Sequence, residues 1–409
     1  MRRLVVWSVA CVCATVGMLV GASVLGATTE GARAGPQTFT VDVDGGNPVA
    51  NESFIAYFPN VVRVHPGDTV VFREVGNGEP HTATLGTLVN GAVAAFAKLT
   101  PAQQNNPPSA AVAADAKLPQ FTEGQSLTLT PSAADPCSLA SGVPSPKAPC
   151  PKTTPAAFDG TQSYENSGWL GSNASYTVHI SSAAPPGTYD FMCLIHREGM
   201  TGKIVVVPAG TPIPSPSAQA ALGKSQLAAA EAKIAPFVPI VRQGLTALAA
   251  ARHVQLPASV TAGTAPVIAG GPAGIDTFGP KVVRIPVGGS VTWYLLGLHS
   301  ITFNSTSASN DVRKTAPDGT VHLNPLALLP AGGPGEPQRP PSGGSQTKPK
   351  FVVVASSTWN GKGFHNSGVF GNSGPPVIEG YRITFTHAGT YKYICTVHDN
   401  MKGTVIVGG

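Results

Sequence analysis

The feature that most constrains this chain is that it repeats itself. Val62-Arg63-Val64-His65-Pro66-Gly67-Asp68-Thr69-Val70-Val71-Phe72 is echoed by Val283-Arg284-Ile285-Pro286-Val287-Gly288-Gly289-Ser290-Val291-Thr292-Trp293. In each copy two short apolar-rich runs flank a Gly-containing turn, the pattern of two joined strands. Pro80-His81-Thr82 is answered by Leu298-His299-Ser300, and Asn166-Ser167-Gly168 by Asn366-Ser367-Gly368. Gly187-Thr188-Tyr189-Asp190-Phe191-Met192-Cys193-Leu194-Ile195-His196 matches Gly389-Thr390-Tyr391-Lys392-Tyr393-Ile394-Cys395-Thr396-Val397-His398. Both then run on to a Met, a Gly and a β-branched segment. Ordered matches of this kind mean a duplicated domain.

The period inside the matched blocks is two. Tyr189, Phe191 and Cys193 share one face with Asp190 on the other, and Tyr391, Tyr393 and Cys395 repeat this with Lys392 outward. Each Cys therefore ends a half-buried strand and points inward. Only 11% of the 409 residues are charged, while Gly numbers 47 and Pro 39, which excludes long Glu/Lys-laced helices as the main element. The expectation is an all-β chain of two antiparallel sandwiches, residues 35–208 and 275–409, carrying Pro-rich insertions over 88–157 and 305–350 that read as long loops with helical fragments. Residues 209–274 differ: Ala218 to Lys233 is helix-forming and Val241 to His253 could resume a second short helix, giving a partly helical spacer.

Arg2 and Arg3 precede an uncharged stretch from Leu4 to Ala27, followed by Ala32-Arg33-Ala34. Residues 1–34 read as a signal peptide or an uncleaved membrane anchor, so the protein is expected outside the cytoplasm: periplasmic, on the cell surface or secreted. In that oxidising setting Cys137 and Cys150, which flank a Pro/Ser-rich loop, read as a local disulfide. Cys11 and Cys13 fall in the export segment, and Cys193 and Cys395 have no evident partner but each other. The net charge of +5 comes with no basic cluster, which argues against a nucleic-acid partner.

The chemistry lies in a residue set made twice. The first half supplies His81, Cys193, His196 and Met200, and the second His299, Cys395, His398 and Met401. Two imidazoles and a thiolate in a trigonal arrangement, with a weak axial thioether, are what a blue-copper electron-transfer site requires. One His comes from a separate strand or loop, while Cys, His and Met share one tight loop closed by Gly202 or Gly403. A lone Cys in a strand is commonly inert core and a Met commonly fills gaps, but the complete set in the same order twice outweighs that reading.

On these residues both halves resemble the cupredoxins, the plastocyanin, azurin and amicyanin family of type 1 copper proteins. The loop Cys395 to Met401 is similar to the short amicyanin loop, and the first half's is one residue longer. The resemblance implies Greek-key β-sandwiches and two copper ions, one per domain. It makes His81 and His299 the upstream imidazole ligands, Cys193 and Cys395 the thiolates, His196 and His398 the second imidazoles, and Met200 and Met401 the axial thioethers. It further implies an electron carrier working with redox partner proteins in the cell envelope or beyond, tethered to the membrane if the N-terminal segment is retained.

An enzymatic reading fails at the residues that would carry it. Multicopper oxidases use paired His-x-His motifs, and none occurs here; copper nitrite reductases place a His directly before the Cys, where this chain has Met192 and Ile394. Two non-enzymatic rivals are a copper-delivery protein, disfavoured by the lack of Met-rich or His-rich tracts, and a binding module, disfavoured by two intact ligand sets. His65, His179, His253, His322, His365 and His387 read as surface or loop residues, with His365, at the place of Glu165, the one expected to border a site.

Overall fold

The computed structural model describes residues 35–46, 51–76, 79–104, 108–121, 129–145, 150, 156–244, 258–263, 273–315, 321–331, 350–371 and 377–408. The export segment 1–34 and His253 therefore lie outside the described residues. Among those described, no helix is long and apolar enough to cross a membrane.

The strands build two β-sandwiches. In the first, a sheet ordered Tyr57–Phe58, Thr38–Val43, Thr69–Glu74, Ser175–His179 faces one ordered Val61–Val64, Arg197–Val206, Gly187–Cys193, Thr84–Leu85, Tyr164–Asn166, Cys137–Leu139. In the second, Phe278–Gly279, Ser259–Ala262, Ser290–Leu295, Val377–Phe385, Lys350–Trp359 faces Val282–Ile285, Lys402–Val407, Gly389–Ile394, Thr302–Phe303, His365–Ser367, Pro330–Ala331. Inward residues fill the space between the sheets. Phe191 meets Tyr57 and Phe72 edge-on at 4.8 and 5.0 Å in one core, and Tyr393 meets Phe278 and Trp293 at 4.7 and 5.3 Å in the other.

Three expectations need correction. The sheets are mixed: Thr38–Val43 runs parallel to Thr69–Glu74, Val61–Val64 to Arg197–Val206, and Ser259–Ala262 to Ser290–Leu295. Alternation fixes which face a side chain takes and is blind to the direction of the neighbouring strand. Secondly, the spacer is not spacer to its end, since Ser259–Ala262 is a strand of the second sandwich and Ala273–Ile275 pairs with Glu52–Phe54 of the first. Thirdly, the first insertion has the expected helical fragments but also adds a strand, Cys137–Leu139, to the sheet, and its described part packs on the sandwich. Helix Thr87–Ala97 and its neighbours cover the outer face of Gly187–Cys193, so Met192 is buried with Val89, Ala92, Leu118, Cys137 and Tyr164 in a core of their own. Cys137 and Cys150 are disulfide-bonded there, as expected.

The spacer's helix, Pro216–Ile234, is capped by Ser215, whose hydroxyl accepts from the Ala218 N–H at 3.2 Å, with Pro216 in the first turn. It lies along a sheet edge. The Gln219 side chain donates to the Arg63 carbonyl at 2.7 Å and accepts from the Arg63 N–H at 2.8 Å, mimicking one more strand beside Val61–Val64. Gly223 permits this approach, because a Cβ there would stand 2.7 Å from the Pro59 nitrogen.

The remaining histidines divide. His179 and His387 are exposed, but His65 and His365 are buried. His65 Nε2 lies 2.8 Å from the Thr211 carbonyl. His365 does not border a site: its Nε2 meets Ser357 Oγ at 3.1 Å and Tyr381 Oη at 3.0 Å inside the second sandwich. Its counterpart Glu165 accepts from Tyr176 Oη at 3.3 Å, while Oε2 has no partner, and burial pushes the carboxyl up to about 7.

Two outcomes follow. Gly223→Ala should cost roughly 1–3 kcal/mol in chemical denaturation although Ala is the better helix former, because the added carbon meets backbone; unchanged stability would show that the helix sits further from the sheet. Glu165 stays protonated in the fold while the unfolded chain ionises, so its contribution is complete below about 4.5 and is lost as the pH rises to about 7. Glu165→Gln should flatten that decline, leaving the variant more stable than the parent at pH 8 by an amount of order 3 kcal/mol or less.

Candidate metal centre

Each set of predicted ligands converges through the same local devices. His81 sits on a one-residue bridge to Leu170, with N–H and C=O paired at 3.3 and 2.8 Å, and His299 sits on the same bridge to Phe370 at 3.2 and 3.1 Å. The Asn-Ser-Gly repeats hold these segments. Ser167 Oγ accepts from Ala83 N–H and Ser367 Oγ from Ile301 N–H, both at 2.8 Å. Asn166 Oδ1 accepts from Thr84 Oγ1 and its amide donates to the Ser132 and Ala133 carbonyls; Asn366 does the same with Thr302, Leu326 and Ala327. The motif thus pins the histidine-bearing strand to a short helix of the insertion.

Cys193 and Cys395 are buried and unpaired, each in its own core, so they do not pair with each other. Cys193 Sγ lies 3.9 Å from His81 Nδ1 and 3.5 Å from His196 Nδ1. Cys395 Sγ lies 3.9 Å from His299 Nδ1 and 3.6 Å from His398 Nδ1, and the two imidazole nitrogens are 3.1 Å apart. Met200 and Met401 are each 1% exposed and pack in the same cores as the corresponding cysteines. The predicted residues are therefore brought together in both halves.

The donors fit a type 1 copper ion. Metal–sulfur and metal–nitrogen bonds of about 2.3 and 2.0 Å at near-trigonal angles put sulfur and nitrogen roughly 3.7 Å apart, the spacing found here. Backbone groups hold each sulfur: Thr82 N–H points at Cys193 Sγ at 3.4 Å, and Ser300 and Val397 N–H at Cys395 Sγ at 3.5 and 3.4 Å.

Electrostatics favour the metal-binding thiolate form. Burial alone would push the Cys193 thiol up, but His196 and His81 outweigh it and hold the thiol well below its ordinary range; His299 and His398 do the same for Cys395. Against burial, Cys193 and Glu79 bring His196 up to about 9, and Asp276, Cys395 and Glu79 bring His398 up to about 10.

The outer edges of the rings have carboxylate neighbours that sequence reasoning missed. His196 Nε2 meets Glu79 Oε1 at 3.0 Å, His81 Nε2 faces Asp44 Oδ2 at 3.4 Å, and His398 Nε2 faces Asp276 Oδ1 at 3.9 Å. Such partners fix ring orientation and raise ligand basicity. Thr82 and Ser300, each directly after the upstream His in both copies, were legible from the repeat. Asp44, Glu79 and Asp276 carry no repeat signal.

No family model and no curated protein matches the sequence. Among solved structures the chain is similar to a dithionite-reduced auracyanin from the photosynthetic bacterium Roseiflexus castenholzii, at 19% identity over 42% of this chain and 99% of that one, TM-score 0.21. It is also similar to an oxidized methionine-to-lysine variant of amicyanin (17% identity, 38% and 88% covered, TM-score 0.19) and to a purple cupredoxin from Nitrosopumilus maritimus (17%, 37% and 99%, TM-score 0.17). These neighbours are cupredoxins; the two sandwiches described above stand on their own strand order and register.

In metal-free protein at pH 7 both cysteines should be thiolates, visible as ultraviolet thiolate absorbance that disappears on acidification. His196→Ala should remove about half of that signal at neutral pH, since it deletes the main cationic neighbour of Cys193. A metal-free parent with no thiolate absorbance at pH 7 would contradict the electrostatic account.

Proposed function

We propose that the protein is an exported electron carrier with two type 1 copper centres, His81/Cys193/His196/Met200 and His299/Cys395/His398/Met401. The observation that carries this reading is the repeated convergence of one thiolate and two imidazole Nδ1 atoms beside a buried methionine. Copper bound there supplies a one-electron Cu(I)/Cu(II) couple. The chain's part is to hold the donors still. Paired strands, the Asn-Ser-Gly clamps and the backbone donors to sulfur fix the ligand positions, so little rearrangement accompanies a change of charge. Two imidazoles, a thiolate and a thioether would leave a bound copper no open position for a substrate, which supports a carrier rather than an enzyme. Partners on this reading are redox proteins of the cell envelope or the exterior.

Purified protein should bind two coppers and show an intense blue thiolate charge-transfer band, halved by Cys193→Ser or by Cys395→Ser. A small donor should reduce both centres reversibly without copper loss. Release of copper on reduction would favour delivery over electron transfer, and the absence of the band would overturn the type 1 assignment.

A further inference from the structure

The two candidate centres are joined by polar contacts between the halves. Glu52–Phe54 of the first half pairs with Ala273–Ile275 of the second, and a chain of contacts crosses at this ribbon. Asp44 Oδ2 faces His81, while Asp44 Oδ1 accepts from the Phe54 N–H. The preceding residue, Ser53, donates to Asp276 Oδ2 at 2.6 Å, and Asp276 Oδ1 faces His398. Asn51 donates to the Asp276 and Asn400 carbonyls, both at 3.0 Å, and so grips the loop between His398 and Met401 directly.

The ring edges also point to one place. His81 and His299 are sealed, whereas the His196 and His398 side chains retain 13% and 9% exposure, making them the ligand rings nearest to solvent. Glu79 serves both: it is hydrogen-bonded to His196, and its charge acts on His398. The more accessible edge of each centre is thus turned toward the other half.

The register shows that the centres are unequal. Val43 pairs with Glu74 and Ala262 with Leu295, at matching places in the two copies, so Asp44 and Glu74 correspond to Gly263 and Leu295. Where Asp44 faces His81, the second half has a glycine whose Cβ would lie 2.0 Å from His299 Nε2. A carboxylate on the ligand ring favours the more highly charged oxidised ion, and an apolar surrounding favours the reduced one.

Resting on the two-centre reading above, we propose that the halves form an intramolecular electron relay, with the His81/Cys193/His196 centre as donor to the His299/Cys395/His398 centre across the Glu79 and Asp276 seam. With copper held by both ligand sets, one electron would leave Cu(I) in the first half and be taken up by Cu(II) in the second, so the exchange would balance within the molecule with no atom transferred. Asp44 sets the direction as a positioning residue acting through His81.

The test uses the copper-loaded full chain. Cys395→Ser isolates the first centre and Cys193→Ser the second, and copper counts with visible spectra establish each one. The first centre should have the lower reduction potential, and Asp44→Asn, which keeps the acceptor for Phe54, should raise it. The oxidised parent should show dipolar broadening in its Cu(II) paramagnetic resonance spectrum relative to the sum of the two single-centre forms. After partial reduction, electrons should redistribute at a rate independent of protein concentration. Asn51→Ala with Ser53→Ala should slow this about tenfold, the scale of losing one or two hydrogen bonds at a docked seam. Equal or inverted potentials, additive spectra, or a rate that scales with concentration would overturn the relay while leaving two centres in place. A single-centre form that binds no copper would overturn the two-centre reading itself, and the relay with it.

Discussion

The two candidate centres depend on a sulfur whose charged form a β-sandwich core disfavours. A thiolate in an apolar core is costly unless cations and donors surround it. Cys193 and Cys395 meet that condition with two imidazoles each and with backbone N–H groups pointed at sulfur. Three of the four imidazoles have support of their own, His81 from Asp44, His196 from Glu79 and His398 from Asp276, while Gly263 stands behind His299. Removing any layer leaves the next one inside it uncompensated.

The same demand explains the architecture outside the cores. One histidine must arrive from a strand distant in sequence, so the loop that bears it has to be fixed independently of the cysteine strand. The Asn-Ser-Gly clamps do this by tying that loop to helices of the insertions. Segments with no clear pattern in the sequence are therefore part of what aims the candidate ligands.

How much of this could be read beforehand follows from where the information resides. The eight candidate ligand residues were legible because each donor type recurs in the same order in both copies, and the strands because Tyr189, Phe191, Cys193 and their counterparts alternate. The parallel pairing of Thr38–Val43 was not legible, since alternation carries no direction. Neither was the strand Ser259–Ala262, short and set beyond a helix-forming stretch. The burial of Met192 was hidden because its cover comes from a helix about a hundred residues earlier, in an apolar run with no strand period. Glu79 lies 117 residues from His196 and Asp276 well over a hundred from His398, and spacing along the chain does not encode those meetings.

The helix Pro216–Ile234 has a bearing on how such a chain keeps to itself. A sheet ending in Val61–Val64 would offer unpaired backbone groups to any passing strand, including one from another copy. Gln219 occupies those groups at Arg63, and Gln226 exchanges hydrogen bonds with Asn60 just beyond. A side-chain amide can satisfy one peptide but cannot propagate a ladder, so the sheet is finished rather than extended. The segment joining the halves thus also covers the sheet edge at Asn60 and Arg63, and a first half severed before Ser215 would lay those backbone groups open.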